Sequence, residues 1–191
     1  SLEKMIKKIK INFFDVRFLP EKKFLLSDKI NIEDLNINQI NDILNRKQIK
    51  FKKIEKLSGK TILVTGAAGT IGSEICRQLV QHNVKKIIAV DKSELGIYHQ
   101  QKKAEIKKIS YNLLDINDHY LLEKIIRDNN VQIIFHAAAY KHVNILENNV
   151  YSAAKSNVFS TFNLCNLTLK YSCEMIFIST PKAANPISVL S

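Results

Sequence analysis

Gly66, Gly69 and Gly72 stand at the spacing G-x-x-G-x-x-G, and Asp91 follows at about the twenty-residue interval expected of an acid that binds a ribose. Glycine admits backbone dihedrals that a Cβ forbids and lets a pyrophosphate come close to the main chain. A helix opening directly after such a turn points its free N–H groups and positive dipole end at the phosphate charge. The acid accepts hydrogen bonds from a ribose 2′-hydroxyl and repels a 2′-phosphate, which favours NAD over NADP. Lys92, beside it, softens that preference. A glycine-rich loop alone also fits an ordinary strand-to-helix turn, so the elements around it decide.

Those elements fit a dinucleotide site. The apolar, β-branched run Ile62 to Thr65 reads as a strand, and the run Ser73 to Gln81 as the helix that the motif opens. Lys85 to Val90 is a second strand ending at Asp91, and a near-continuous apolar run of this kind marks a strand buried on both faces. A helix over 93–103 with Ser93 as its cap comes next, then a third strand over 107–114 ending at Asp115. A helix over 118–127 puts Leu121, Leu122, Ile125 and Ile126 on one face. Val131 to Phe135 is strand four, running into His136-Ala137-Ala138-Ala139. A long helix over about 150–171 and a fifth strand over 174–178, ending at Ser179-Thr180, complete the alternation. Strand–helix alternation calls for an α/β fold: a Rossmann-type, NAD(P)-binding, doubly wound parallel sheet whose ligands sit at the carboxyl ends of the strands.

Upstream, residues 1–30 hold one expected strand within 10–18 and too little apolar sequence to fold alone, as the remnant of an upstream domain. Residues 31–59 read as a linker with a short helix near 38–44, and residues 60–191 as the dinucleotide-binding domain. The start at Ser1 and the stop at Ser191 lead to the expectation of a C-terminally truncated fragment.

The 191 residues are 46% hydrophobic and 25% charged, the balance of a soluble globular protein. No apolar run approaches the roughly 20 residues of a membrane helix, and no signal peptide is read at the N-terminus. Three cysteines, Cys76, Cys165 and Cys173, lack metal-ligand spacing, so they read as reduced packing residues and no metal is expected. The net charge of +11 is concentrated upstream, with 15 Lys/Arg against 8 Asp/Glu in residues 1–60. Interleaved with Ile and Asn, this excess reads as compositional bias, and no nucleic-acid partner is expected.

Several stretches together resemble a known family. These are Leu63-Val-Thr-Gly-Ala-Ala-Gly-Thr-Ile-Gly-Ser-Glu-Ile-Cys-Arg-Gln, Asp91-Lys-Ser-Glu, Phe135-His-Ala-Ala-Ala-Tyr-Lys-His-Val, Asn157-Val-Phe-Ser-Thr and Phe177-Ile-Ser-Thr-Pro-Lys-Ala-Ala-Asn-Pro. In order and spacing the sequence is similar to the extended short-chain dehydrogenase/reductase superfamily, within it the CapD-like polysaccharide biosynthesis proteins that include nucleotide-sugar 4,6-dehydratases. The resemblance implies that Gly66, Gly69, Thr70, Ile71 and Gly72 cradle the pyrophosphate and that Asp91 holds the adenosine ribose. It places Asp115 at the adenine, Ala137 and Ala138 under the cofactor, and Asn157 in support of the sheet or the cofactor site. Read without the family, Asp115 is a cap or turn acid, the two alanines are packing residues, and Asn157 is an ordinary helix polar residue. The resemblance also implies a cytoplasmic domain, an inner-membrane anchor in longer members, and a homodimer through helices flanking the fourth strand.

The chemistry the resemblance implies is hydride transfer from C4 of a nucleotide sugar, loss of water across C5 and C6, and return of the hydride to C6. Elimination needs an acid and a base on the loop after strand five. There the family reads Ser-Thr-Asp-Lys, with Thr polarising a hydroxyl, Asp as acid and Lys as base. Ser179, Thr180 and Lys182 match, and Pro181 stands where the acid belongs. Lys141 would face the nucleotide sugar; otherwise it is a solvated loop lysine. Leu190 occupies the position of the family's Tyr or Met, and the lysine four residues on lies beyond the given sequence. These departures predict a chain that binds a dinucleotide without turnover. They also keep a 4-epimerase, which needs no C5 base, and a catalytically silent binding module as alternatives.

Overall fold

The computed structural model describes residues 54–103, 108–180 and Ser188. The strand expected within 10–18, the helix near 38–44, and Pro181, Lys182 and Leu190 lie outside the described residues. Among the described residues five strands, β1 (Thr61–Thr65), β2 (Lys86–Asp91), β3 (Ile109–Leu113), β4 (Ile133–His136) and β5 (Glu174–Phe177), form one parallel sheet in the order β3-β2-β1-β4-β5. The chain winds outward from β1 to β3, then returns to place β4 on the other side of β1. That reversal opens a crevice between the carboxyl ends of β1 and β4, where ligands of such sheets bind.

β1 is buried along its whole length, as a central strand covered on both faces must be. Its alternation separates two cores. Ile62 and Val64, with Ile87 and Ala89 of β2 and Ile133 of β4, pack against Cys76 and Leu79 of helix α1 (Thr70–Val80). Helix α2 (Glu94–Lys103) lies along the same side, where its Gln100 carbonyl accepts a hydrogen bond from Tyr111 Oη (3.4 Å). On the opposite face Leu63, Ile88, Val90 and Ile134 meet Leu122 and Ile126 of helix α3 (His119–Asp128). Leu164 and Leu167 of helix α6 (Ser160–Lys170) join them. The doubly wound α/β expectation holds.

Local signals hold too. Ser93 Oγ accepts the Gly96 N–H (3.1 Å) and caps α2. Asp118 Oδ1 accepts the Leu121 N–H (3.0 Å) and caps α3, satisfying an otherwise unpaired first-turn donor. Cys76 is buried, and desolvation pushes its thiol up to about 12. Cys173 packs against the second core and donates from Sγ to the Val131 carbonyl (3.0 Å).

Four expectations need correction. α1 begins at Thr70 rather than Ser73, because Gly69 takes the extended dihedrals of an N-cap (φ −73°, ψ 167°) and the motif's own residues form the first turn. Leu121 is 42% exposed while Leu122 and Ile126 are buried, so α3 presents a narrower apolar face to the sheet than its sequence suggests. Two one-turn helices, α4 (Val143–Leu146) and α5 (Val150–Ala153), follow β4, and α4 was not expected. The long helix expected from Val150 is not uniform: between α5 and α6 residues Ala154–Phe159 form a π-helical segment, the wider turn common at functional sites. No helix among the described residues is long and apolar enough to cross a membrane.

Candidate functional site

The turn after β1 is built backbone against backbone. Gly66 sits at φ +68°, in the left-handed region where a side chain is strained. A Cβ there would lie 2.7 Å from the carbonyl carbon and oxygen of Ala137 and from Cα of Ala138. Gly66 and the exit of β4 thus touch main chain to main chain. Gly69 donates its N–H to the Gly66 carbonyl (3.1 Å), and a Cβ on Gly72 would stand 2.1 Å from that same oxygen. The first-turn N–H groups of α1, on Thr70, Ile71 and Gly72, have no carbonyl partner within the helix. They form the helix end that attracts an anion.

Asp91 braces this turn from the tip of β2. Its Oδ2 accepts the Ala68 N–H (3.0 Å) and its Oδ1 the Ser93 N–H (2.9 Å). Each carboxylate oxygen keeps a lone pair for a further donor. Gly66, Gly69, Asp91, Asp115, Ala137 and Ala138 line one open cleft over the carboxyl edge, together with Lys92, Leu114, Ile116, Ala139, Tyr140 and Ser156. Asp115 is also a turn acid: its Oδ1 accepts from the Asn117 N–H (2.9 Å) and from Asn117 Nδ2 (2.8 Å). Burial pushes its carboxyl up, but those two bonds and the positive charges of Lys92 and Lys155 hold it below the usual carboxylate range. The turn-acid reading of Asp115 is thus the one these bonds describe.

Asn157 lies in the π-helical segment, next in sequence to Ser156 of the cleft lining. Its Oδ1 accepts the Tyr140 N–H (2.8 Å) and its Nδ2 donates to the Tyr140 carbonyl (3.0 Å), so one amide side chain grips both polar groups of one residue in the loop after β4. That grip is a supporting role. Asn157→Ala is expected to cost about 1 kcal/mol, the net worth of a typical lost hydrogen-bonding contact. Faster amide exchange at Tyr140 than in the unaltered chain would show it; unchanged exchange there would contradict the clamp.

The sequence offered no role for His136, and the structure supplies one. The ring is buried between Thr65 and Thr161, with Nδ1 2.7 Å from Thr65 Oγ1 and Nε2 2.9 Å from Thr161 Oγ1. Thr161 gives its single hydroxyl proton to the Asn157 carbonyl (2.7 Å). It therefore accepts from His136 Nε2–H, and Nδ1 accepts from Thr65. Burial lowers the His136 pKa to about 4, so the ring is neutral. A hydrogen-bonded line runs from β1 through β4 to Asn157 and on to Tyr140. Its signal in the sequence was slight: a histidine closing an apolar strand, and a threonine one helical turn after Asn157.

Of the expected catalytic residues, Lys141 and Thr180 are among the described ones. Lys141 is exposed in the loop after β4, and Thr180 is exposed three residues beyond β5. Both lie at the carboxyl edge of the sheet, and neither lines the cleft.

A parallel sheet with its cleft where β4 turns back beside β1 defines a Rossmann-type α/β domain, the fold of nucleotide-sugar epimerases among solved structures. The chain belongs to the polysaccharide biosynthesis protein family, whose model matches residues 62–191. It is 32% identical over 181 residues to the capsular polysaccharide biosynthesis protein CapD of Staphylococcus aureus, a match covering 90% of this chain and 30% of that protein. It is 30% identical over 134 residues to the inverting UDP-N-acetylglucosamine 4,6-dehydratase of Campylobacter jejuni, covering 69% of this chain and 40% of that enzyme. The UDP-glucose 4-epimerase of Thermotoga maritima, solved with UDP-glucose, superposes with a TM-score of 0.57 at 30% identity, covering 64% of this chain and 38% of that one. The chain spans 30–40% of the length of these relatives.

Proposed function

We propose that the chain is the cofactor-binding part of an NAD-dependent nucleotide-sugar 4,6-dehydratase acting on a UDP-N-acetylglucosamine-type substrate in glycan synthesis. One observation carries the cofactor half of this proposal. Gly66 packs against Ala137 and Ala138 closely enough to exclude any side chain, and it does so in the crevice where such sheets hold a pyrophosphate. The turn 66–72 and the first turn of α1 hold the phosphates, Asp91 accepts from the ribose hydroxyls, and Asp115 stands at the adenine. Ala137 and Ala138 form the floor, and Asn157 holds the loop beside it. When bound, the nicotinamide supplies reversible acceptance of a hydride from the sugar. Thr180 polarises the reacting hydroxyl, Lys182 takes the C5 proton, and Lys141 meets the nucleotide sugar.

Pro181 supports a second reading. Without an acid at that position the C6 hydroxyl has no proton donor on the loop, and a 4-epimerase, which only cycles hydride at C4, makes no such demand. A silent binding module would need no catalytic group at all. Titration calorimetry with NAD tests the cofactor reading, and absence of heat at millimolar NAD would end it. Incubation with UDP-N-acetylglucosamine, followed by proton NMR, separates the rest. The given chain is expected to leave the sugar unchanged. A 4-keto-6-deoxy product would refute that inactivity, and a C4-inverted sugar would favour the epimerase.

The domain organisation read from sequence, with residues 60–191 as the binding domain behind a linker and an upstream remnant, belongs to the same proposal. The whole protein is then anchored in the inner membrane with this domain on the cytoplasmic side. Tyr151, Val158, Phe159 and Phe162 are all more than half exposed along the segment after β4, and such apolar exposure supports a homodimer through these helices.

A further inference from the structure

Lys92 directly follows the acid that meets the ribose on the cofactor reading, and the present inference rests on that reading. Its ammonium donates to Tyr140 Oη and stands 3.8 Å from the centroid of the Tyr140 ring. The two residues are 48 apart in sequence and line the same cleft from different walls, one at the tip of β2 and the other in the loop after β4. Tyr140 is held in place by Asn157, whose amide grips its N–H and its carbonyl. Asn157 is tied in turn through Thr161 to the buried His136. An aromatic ring with a braced backbone thus meets the cation next in sequence to the ribose acid.

That cation matters for the choice of dinucleotide. A lysine beside the ribose acid is the group a 2′-phosphate would recruit, as a compact point charge on a flexible stem. An ammonium that donates to a phenol oxygen and stands against a π face gives up part of those contacts when it turns toward a phosphate, which lowers its net attraction for that group. We infer that Tyr140 is a specificity-determining residue: by engaging Lys92 it leaves Asp91 alone to face the ribose, so the cleft favours the dinucleotide without a 2′-phosphate. Tyr140 acts through Lys92, and the effect disappears when the lysine is removed.

The test compares dissociation constants for NAD and NADP, measured by titration calorimetry on the chain and on Y140A, Y140F, K92A and Y140A/K92A, with circular dichroism to verify folding. In Y140A the ratio of NADP to NAD affinity is expected to rise about two- to fivefold, the factor set by an exposed cation–π contact. Y140F, which keeps the ring and loses the hydroxyl, falls between. K92A lowers the ratio, and the double variant shows no gain over K92A, the non-additivity that marks a residue acting through another. An unmoved ratio in Y140A with NAD still bound overturns the inference alone. A gain that persists in the double variant also overturns it, because a wider cleft and not a released lysine would then be the cause. Failure of the unaltered chain to bind either dinucleotide overturns this inference and the cofactor reading together.

Discussion

Gly66→Ala is expected to lose about 3 kcal/mol of stability and to abolish dinucleotide binding. A left-handed backbone costs an L-residue about 1–2 kcal/mol, and an atom forced into a packed space costs about 1–3 kcal/mol more. Both apply here, since Gly66 stands at φ +68° and its added Cβ would meet Ala137 and Ala138 at 2.7 Å. The colliding atoms are main chain, so no rotamer change relieves them. Gly59 is the control. It has φ +69° but nothing within 4 Å of its Cβ position, so Gly59→Ala incurs only the dihedral cost, about 1–2 kcal/mol. Urea denaturation midpoints for the two variants should differ clearly, and equal midpoints would show that the β1–β4 approach is not as close as described.

The second large effect is a pH dependence carried by His136. Its folded pKa of about 4 lies below the ordinary 6.5, so between those values the unfolded chain binds a proton that the folded chain refuses. Stability from this residue is fully present above about 6.5 and falls as the pH drops toward 4, by about 1.4 kcal/mol per unit and about 3 kcal/mol in all. Urea midpoints between pH 7.5 and 4.5 measure it. His136→Leu flattens this part of the profile and lowers stability at neutral pH by about 2 kcal/mol, because the buried Thr65 hydroxyl loses its acceptor. Parallel pH profiles for the two proteins would remove His136 as the source.

The fold was legible because parallel strands covered on both faces announce themselves as apolar runs; Ile62 to Thr65 and Lys86 to Val90 are such runs. The acids that end or follow β2 and β3 were legible for a related reason, since a polar residue closing an apolar run marks the sheet's carboxyl edge. What escaped depends on contacts between distant segments. The π-helical turn at Ala154–Phe159 is tied to Tyr140 through Asn157, and no pattern within the helix itself encodes that tie. The role of His136 requires Thr65 and Thr161 at once. The start of α1 was misplaced because Gly69 stands at the helix's N-cap and Gly72 in its first turn, where they hide its periodicity.

The close approach of Gly66 to Ala137 and Ala138 also bears on how the chain acquires its shape. Seven consecutive residues write the glycine turn, yet its floor is supplied by a segment far downstream: the neighbouring Thr65–His136 pair is 71 residues apart. Closing so long a loop is an entropic cost met before the contact returns anything. A nascent chain emerging in order would carry the turn, β2 and β3 into solution with one wall of the crevice still absent. The cleft therefore matures late, when β4 docks beside β1.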